Sequence, residues 1–176
     1  AVMLRSPHAH AKIAGIDTAR ARAMQGVLAV LTGADAHADG LRAIPHTQIA
    51  PGTEKRSPHF LLPRDKARFV GEAVAMVIAE TAAAARDAAE VVEVRYETLP
   101  AVSATPRAAE EKQAIVWDEL GRNVYIELEV GDAAATDAAF KNAAHVVSLD
   151  TWVQRVTGLT MEPRGAVGVY DASRDR

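Results

Sequence analysis

Val74-Ala75-Met76-Val77-Ile78-Ala79 is followed by Thr81, then by Ala82-Ala83-Ala84-Ala85-Arg86-Asp87-Ala88-Ala89-Glu90, and then by Val92-Glu93-Val94-Arg95-Tyr96-Glu97, with Pro100 closing the stretch. Six apolar residues in a row, short and bounded, predict a strand that is buried on both faces. Thr81 is a residue type that caps a helix start, because its hydroxyl can satisfy an orphan backbone N–H. Over 82–90 the small apolar residues Ala85, Ala88, Ala89 and then Val92 return at helical spacing, which turns Arg86, Asp87 and Glu90 to the other side. The period then changes to two: Val92, Val94 and Tyr96 alternate with Glu93, Arg95 and Glu97, the mark of a half-exposed strand. Pro100 has no N–H to donate to a ladder and ends it.

Working outward, residues 9–16 roughly alternate polar and apolar side chains and predict a strand. Asp17 or Thr18 can cap a short helix that stops near Gly26, and 27–31, apolar throughout and set between Gly26 and Gly33, predicts a second strand buried on both faces. Periodicity fades over 34–66, where Pro45, Pro51, Gly52, Pro58 and Pro63 interrupt the chain and His37, His46 and His59 fall; a loop of this length in a compact domain is usually functional or partly disordered. Downstream, 101–122 has weak patterning and the charged run Glu110-Glu111-Lys112, and reads as a connector. Val124, Ile126, Leu128 and Val130 then alternate with Tyr125, Glu127 and Glu129 as a strand would. Asp132 can open a helix running to about Asn142, with extended segments predicted at 146–153 and 166–170. Strands and helices are interspersed, so the class is α+β or α/β. The second block starts a strand–helix–strand set with no partners to bury it against, and Arg174-Asp175-Arg176 has no terminating feature. With no initiator Met at Ala1 either, the sequence is expected to be a piece of a longer polypeptide.

Of 176 residues, 49% are hydrophobic, but only 5% are aromatic and much of the apolar count is alanine, so the core has little bulk per residue. A net charge of −3 gives no basis for nucleic-acid binding. No apolar stretch reaches the roughly 20 residues of a membrane span, and Ala1–Pro7 is not patterned as a secretory leader. Cysteine is absent, which removes disulfides, thiolate nucleophiles and cysteine-held zinc or iron–sulfur centres. Cytoplasmic localisation is the default expectation.

Motifs with a known mechanism, such as G-x-G-x-x-G, G-x-x-x-x-G-K-[ST], H-E-x-x-H and G-x-S-x-G, do not occur. His8-Ala9-His10 would put two imidazoles on one face of a strand, as in some metal sites; the alternative, favoured because no third ligand lies at a convincing spacing, is a pair of surface or interface histidines. Glu72 stands at the mouth of the central strand, either as an acid or base or, the better reading, as a turn carboxylate pairing with a cation such as Arg68; Gly71 before it serves a backbone need. Met161-Glu162-Pro163-Arg164-Gly165 is either a turn with a Glu162–Arg164 ion pair or part of a site completed by other sequence.

Taken in order, Ser6-Pro7-His8-Ala9-His10-Ala11-Lys12-Ile13, Gly26-Val27-Leu28-Ala29-Val30-Leu31-Thr32-Gly33-Ala34-Asp35, Val70-Gly71-Glu72-Ala73-Val74-Ala75, Val94-Arg95-Tyr96-Glu97-Thr98-Leu99-Pro100-Ala101-Val102, Gly131-Asp132 with Ala138-Ala139-Phe140, Ala143-Ala144-His145-Val146-Val147 and Met161-Glu162-Pro163-Arg164-Gly165 resemble the large subunit of the aldehyde oxidase/xanthine dehydrogenase family, in its bacterial carbon monoxide dehydrogenase-like branch. Each motif is weak alone; their order and spacing are specific.

The resemblance implies an α/β-hammerhead domain, an α+β fold, over 1–105, a connector over 106–122, and over 123–176 the opening of the molybdenum-cofactor-binding domain. It implies an N-terminal part of the catalytic large subunit of a molybdenum hydroxylase that oxidises an aldehyde, N-heterocycle, purine or carbon monoxide, with water as the oxygen source. The cofactor would be molybdopterin cytosine dinucleotide, with FAD on a medium subunit and [2Fe-2S] clusters on a small subunit as partners. The family's pterin-binding loops and active-site glutamate lie beyond Arg176, so no catalytic residue, cofactor or metal is expected in this segment, which would act as scaffold. Glu162, at the family's Met-Glu-Pro position, is carried over only as a candidate for a residue one layer behind the cofactor. The rival expectation is a free-standing hammerhead module used for assembly or binding; a small histidine-based metal-binding protein is a third. For the fragment itself, burial of the unpartnered strand faces of its second block in a homodimer is an alternative to fraying.

Overall fold

A computed structural model describes residues 1–45, 57–110, 112–127, 129–154, 156, 158, 161–162 and 165–174. The chain forms two units, Ala1–Glu129 and Val130–Arg176. His46 and Arg164 lie outside the described residues, and with them the expected Glu162–Arg164 pair.

Within the first unit, strands β1 (Val2–Arg5), β5 (Ala73–Ala79) and β3 (Val27–Thr32) make one antiparallel sheet with β5 in the middle. Strands β4 (Lys66–Ala67), β2 (Ala11–Asp17) and β6 (Glu93–Thr98) make a second antiparallel sheet around β2. The six-residue apolar run thus takes the central strand, where Val74, Ala75 and Val77 are fully buried. Helix α3 (Ala82–Glu90) starts where expected: the Ala84 N–H donates to Thr81 Oγ1 at 3.1 Å, a cap worth about 1 kcal/mol. Its buried face is Ala85, Ala88 and Ala89, which meet Val30, Val77 and Val92 in the core, with Leu4 of β1, and Ile16 and Val94 of the second sheet, packed against them. Alanine on that face lets helix and sheet approach closely. The core therefore draws its stability from fit and from a few valines, each worth about 1.5–3 kcal/mol when fully buried.

Helix α1 (Ala19–Arg22) has Thr18 as its N-cap residue, and the Ala19 N–H donates to Asp17 Oδ1 at 2.9 Å, so both expected cap residues take part. Two expectations need correction. The 27–31 strand is not buried throughout: Val30 is enclosed, but Leu28, at an irregularity between Val27 and Ala29 in the pairing with β5, is 65% exposed, and β3 is the edge of its sheet. An apolar run marks a strand without saying whether both neighbours exist. The 34–66 stretch opens with a helix, α2 (Gly33–Ala38), secured by the Asp35 carboxylate, which accepts from the Thr32 N–H at 2.7 Å and from its hydroxyl at 2.6 Å. The 101–122 stretch, read as a connector, holds helix α4 (Thr105–Ala108) and a 3-10 turn at Asp118–Leu120.

The second unit contains helix α5 (Ala133–Asn142), capped as expected by Asp132, whose Oδ1 accepts from the Ala135 N–H at 2.9 Å. The strands expected at 124–130, 146–153 and 166–170 are not formed among the described residues. Alternation supplies a face, but a strand exists only when its N–H and C=O groups find a partner ladder. Val147 and Val153 are accordingly more than 90% exposed.

Candidate functional site

His8, His10 and Glu72, singled out from sequence, each have a definite place. His10 is 6% exposed and its Nδ1 lies 2.8 Å from the Pro100 carbonyl oxygen, so it is a core residue and not the surface or interface histidine expected. Helical and strand periodicity cannot foresee this, because the burial comes from the 100 region folding back over β2. His8 is half-buried against the Tyr96 ring in an edge-on contact at 4.8 Å between centroids. Among the described residues no three His, Asp or Glu side chains converge as a metal site would require.

Gly71 has φ +89°, the left-handed backbone that favours glycine, and its N–H donates to the Ser6 carbonyl. The turn it makes points Glu72 back onto its own loop, where Oε2 accepts from the Arg68 N–H at 2.5 Å. Burial pushes the Glu72 carboxyl up from its ordinary value, against the opposing effect of that hydrogen bond and of the Arg68 guanidinium. Glu72 is therefore a turn carboxylate tied to Arg68, although through the backbone. The Arg68 side chain reaches elsewhere: to the Lys66 carbonyl at 3.0 Å, to Asp65 at 3.8 Å, and over the Trp117 ring at 4.0 Å.

This brings together a cluster that sequence inspection does not find. The nearly buried Lys66 ammonium meets Asp118 Oδ2 at 2.6 Å, 52 residues away along the chain. Trp117 lies between Arg68 and the His59 ring, whose centroid is 5.0 Å from it. The hydrogen bond from Lys66 holds the Asp118 carboxyl below the usual carboxylate range, and the charges of His10 and Arg68 act in the same direction. Asn123 fixes the same segment by donating to the Ala108 and Ala114 carbonyls and accepting from the Val116 N–H. Each carboxylate here is engaged by a cation or an N–H, so the cluster's chemistry is that of a clamp. It holds the 101–127 segment on β4 and the loop after it.

Glu162 and Met161 are exposed, in the second unit.

The fold has clear relatives. Residues 1–100 match the family described as aldehyde oxidase and xanthine dehydrogenase, a/b hammerhead domain. Over 180 aligned positions covering 100% of this chain and 21% of the relative, the sequence is 39% identical to the nicotine 6-hydroxylase large subunit of Paenarthrobacter nicotinovorans. The structure superimposes on quinoline 2-oxidoreductase from Pseudomonas putida 86 with TM-score 0.64 and 42% identity, over 71% of this chain and 16% of that one. It superimposes on the Cu,Mo-CO dehydrogenase with TM-score 0.70 and 33% identity, over 82% of this chain and 19% of that one. The chain belongs to the aldehyde oxidase and xanthine dehydrogenase family and carries its α/β-hammerhead domain. It spans about a fifth of the length of the nicotine 6-hydroxylase large subunit and of the CO dehydrogenase chain. No helix among the described residues is long and apolar enough to cross a membrane.

Proposed function

We propose that this chain is the hammerhead-bearing part of the large subunit of a molybdenum hydroxylase, and that this part is scaffold, not catalyst. The observation that carries the reading is alignment of the whole chain, at 39% identity, with one fifth of a hydroxylase large subunit. In such an enzyme the cofactor performs the oxidation, while the protein positions and tunes it. The substrate would be an aldehyde, N-heterocycle, purine or carbon monoxide, with water supplying the oxygen. Molybdopterin cytosine dinucleotide would be held by the remaining four fifths of the subunit, and electrons would leave through [2Fe-2S] and FAD subunits in the cytoplasm.

On this reading residues 1–105 are the hammerhead and 106–122 the connector, with 123–176 opening the cofactor-binding domain and Glu162 one layer behind the cofactor. The exposed Val147, Leu149, Trp152, Val153 and Val169 support it, since a run of large apolar side chains left in water marks a face meant for a partner layer. The test is to express the 176 residues and the full-length subunit in a host that makes the molybdenum cofactor, and to measure bound metal and turnover of nicotine, quinoline, benzaldehyde and carbon monoxide. The expected result is molybdenum and turnover only in the full-length protein. Stoichiometric molybdenum in the short chain would overturn the scaffold assignment.

A further inference from the structure

The edge strands of the first unit differ in how they are protected. A sheet edge presents a row of N–H and C=O groups that can template pairing with another chain, and charged side chains, bulges and short length blunt it. Strand β6 carries Glu93, Arg95 and Glu97 along its own length, β1 has four residues and ends in Arg5, and β4 has two residues. Edge strand β3, Val27-Leu28-Ala29-Val30-Leu31-Thr32, has six residues with no charge, no Pro and no Gly. Segments of that composition are the ones that stack between copies when left bare.

Its protection comes from the two helices that flank it in sequence. Arg22, the last residue of α1, donates from Nη2 to the Val30 carbonyl at 2.6 Å, and its Nε donates to Thr18 Oγ1 at 3.0 Å, which fixes the guanidinium. The N–H and C=O of one strand residue point to the same side. Val30 therefore turns both toward the open edge, and Arg22 stands on them. Two residues on, the Thr32 N–H is taken by Asp35 Oδ2 of α2 at 2.7 Å. Arg22 Nη2 and Asp35 Oδ1 are 3.6 Å apart, both side chains part-exposed. One ion pair thus occupies two successive edge-facing residues. At the other end of the strand, the irregularity between Val27 and Ala29 interrupts the regular ladder at Leu28.

We propose that the Arg22–Asp35 pair is an edge guard, which keeps β3 from pairing with the β3 of a second copy of this chain. Release of Arg22 turns that edge into a self-association surface. The occupant is a second copy because an antiparallel pair about a two-fold axis sets the same uncharged residues against each other. The proposal rests on the β3 edge alone and is independent of the chain's role in a molybdenum enzyme.

The experiment is sedimentation velocity and amide hydrogen exchange on the 176-residue chain as wild type, R22A and R22A/L28K, over a range of protein concentrations. Leu28 is already largely exposed, so L28K charges the edge from within, as β6 does for itself. The expected result is that R22A associates about tenfold or more tightly than wild type. Its Val30 amide should gain protection as concentration rises, and R22A/L28K should return to wild type in both measurements. Association through the apolar side chains of the second unit would be equal in all three and would leave Val30 unmoved. Protected β5 amides at low concentration show that a variant is folded. Should R22A fail that check, R22K takes its place with the same expected direction, because a compact ammonium cannot hold Thr18 and Val30 together as the guanidinium fork does. Equal association of wild type and the Arg22 variant, a Val30 amide indifferent to concentration, or association undiminished by L28K would overturn the proposal.

Discussion

Replacing Ala88 with leucine tests whether the hammerhead depends on close approach of α3 to its sheet. Ala88 is fully buried, in a cluster with Val30, Val77 and Ala85. Leucine adds three carbons, which in a roomy site would gain about 0.8 kcal/mol each. Here the helix would have to lift off β5 or the valines leave their rotamers, and overpacking of this kind costs about 1–3 kcal/mol net. At about 4 °C per kcal/mol for a unit of this size, the melting midpoint should fall by roughly 4–12 °C. The assay is thermal unfolding followed by circular dichroism, with Ala83→Leu on the exposed side of the same helix as the control, expected to stay within about 0.5 kcal/mol of wild type. If Ala88→Leu melts with the control, α3 is not packed through its alanines and the reasoning fails.

Asp35→Ala should cost about 1 kcal/mol by removing the reciprocal bonds at the start of α2. The Thr32 hydroxyl, with the Thr32 N–H and Arg22 adding to it, holds the Asp35 carboxyl below its ordinary value of 3.8, so its stabilisation is present above that pH and lost as pH falls through the lower folded value. The difference in melting midpoint between wild type and Asp35→Ala should therefore close in acid; a gap that is constant with pH would contradict this. Asp118→Asn should cost about 1–2 kcal/mol in urea unfolding by leaving the nearly buried Lys66 ammonium without its anion, a value held down because Asp118 itself is largely exposed. No change would mean that the clamp contributes nothing. In hydrogen exchange, amides of 144–154 should exchange rapidly while those of β5 and α3 are protected for much longer; uniform protection in a monomer would show that the second unit completes its own core.

The elements legible in sequence are those whose signal is local. The Thr81 cap, the alanine stripe of α3 and the alternation of β6 each depend on residues within one turn or one strand, and each stands where its pattern puts it. Thr32 and Asp35 also carried a local signal, a Thr with an acidic residue three positions on, but α2 is only six residues long and gives too little periodicity to announce itself. What was illegible depends on distant partners. The 27–31 run could not reveal that β3 has a neighbour on one side only. The alternation at 124–130 could not reveal that, among the described residues, no ladder receives it. The Lys66–Asp118 pair and the burial of His10 against Pro100 join residues 52 and 90 positions apart.

The central claim is that these residues work as one part of a much larger molybdenum enzyme subunit. The most direct measurement is to raise antibodies against residues 1–100, recover the native polypeptide from its source cells under mild conditions, and determine its length by mass spectrometry and its metal content in the same sample. With 176 residues corresponding to 21% of the nicotine 6-hydroxylase large subunit, the native chain should be roughly five times longer and should carry about one molybdenum per copy. A native polypeptide of about 176 residues, free of molybdenum and of larger partners, would contradict the account.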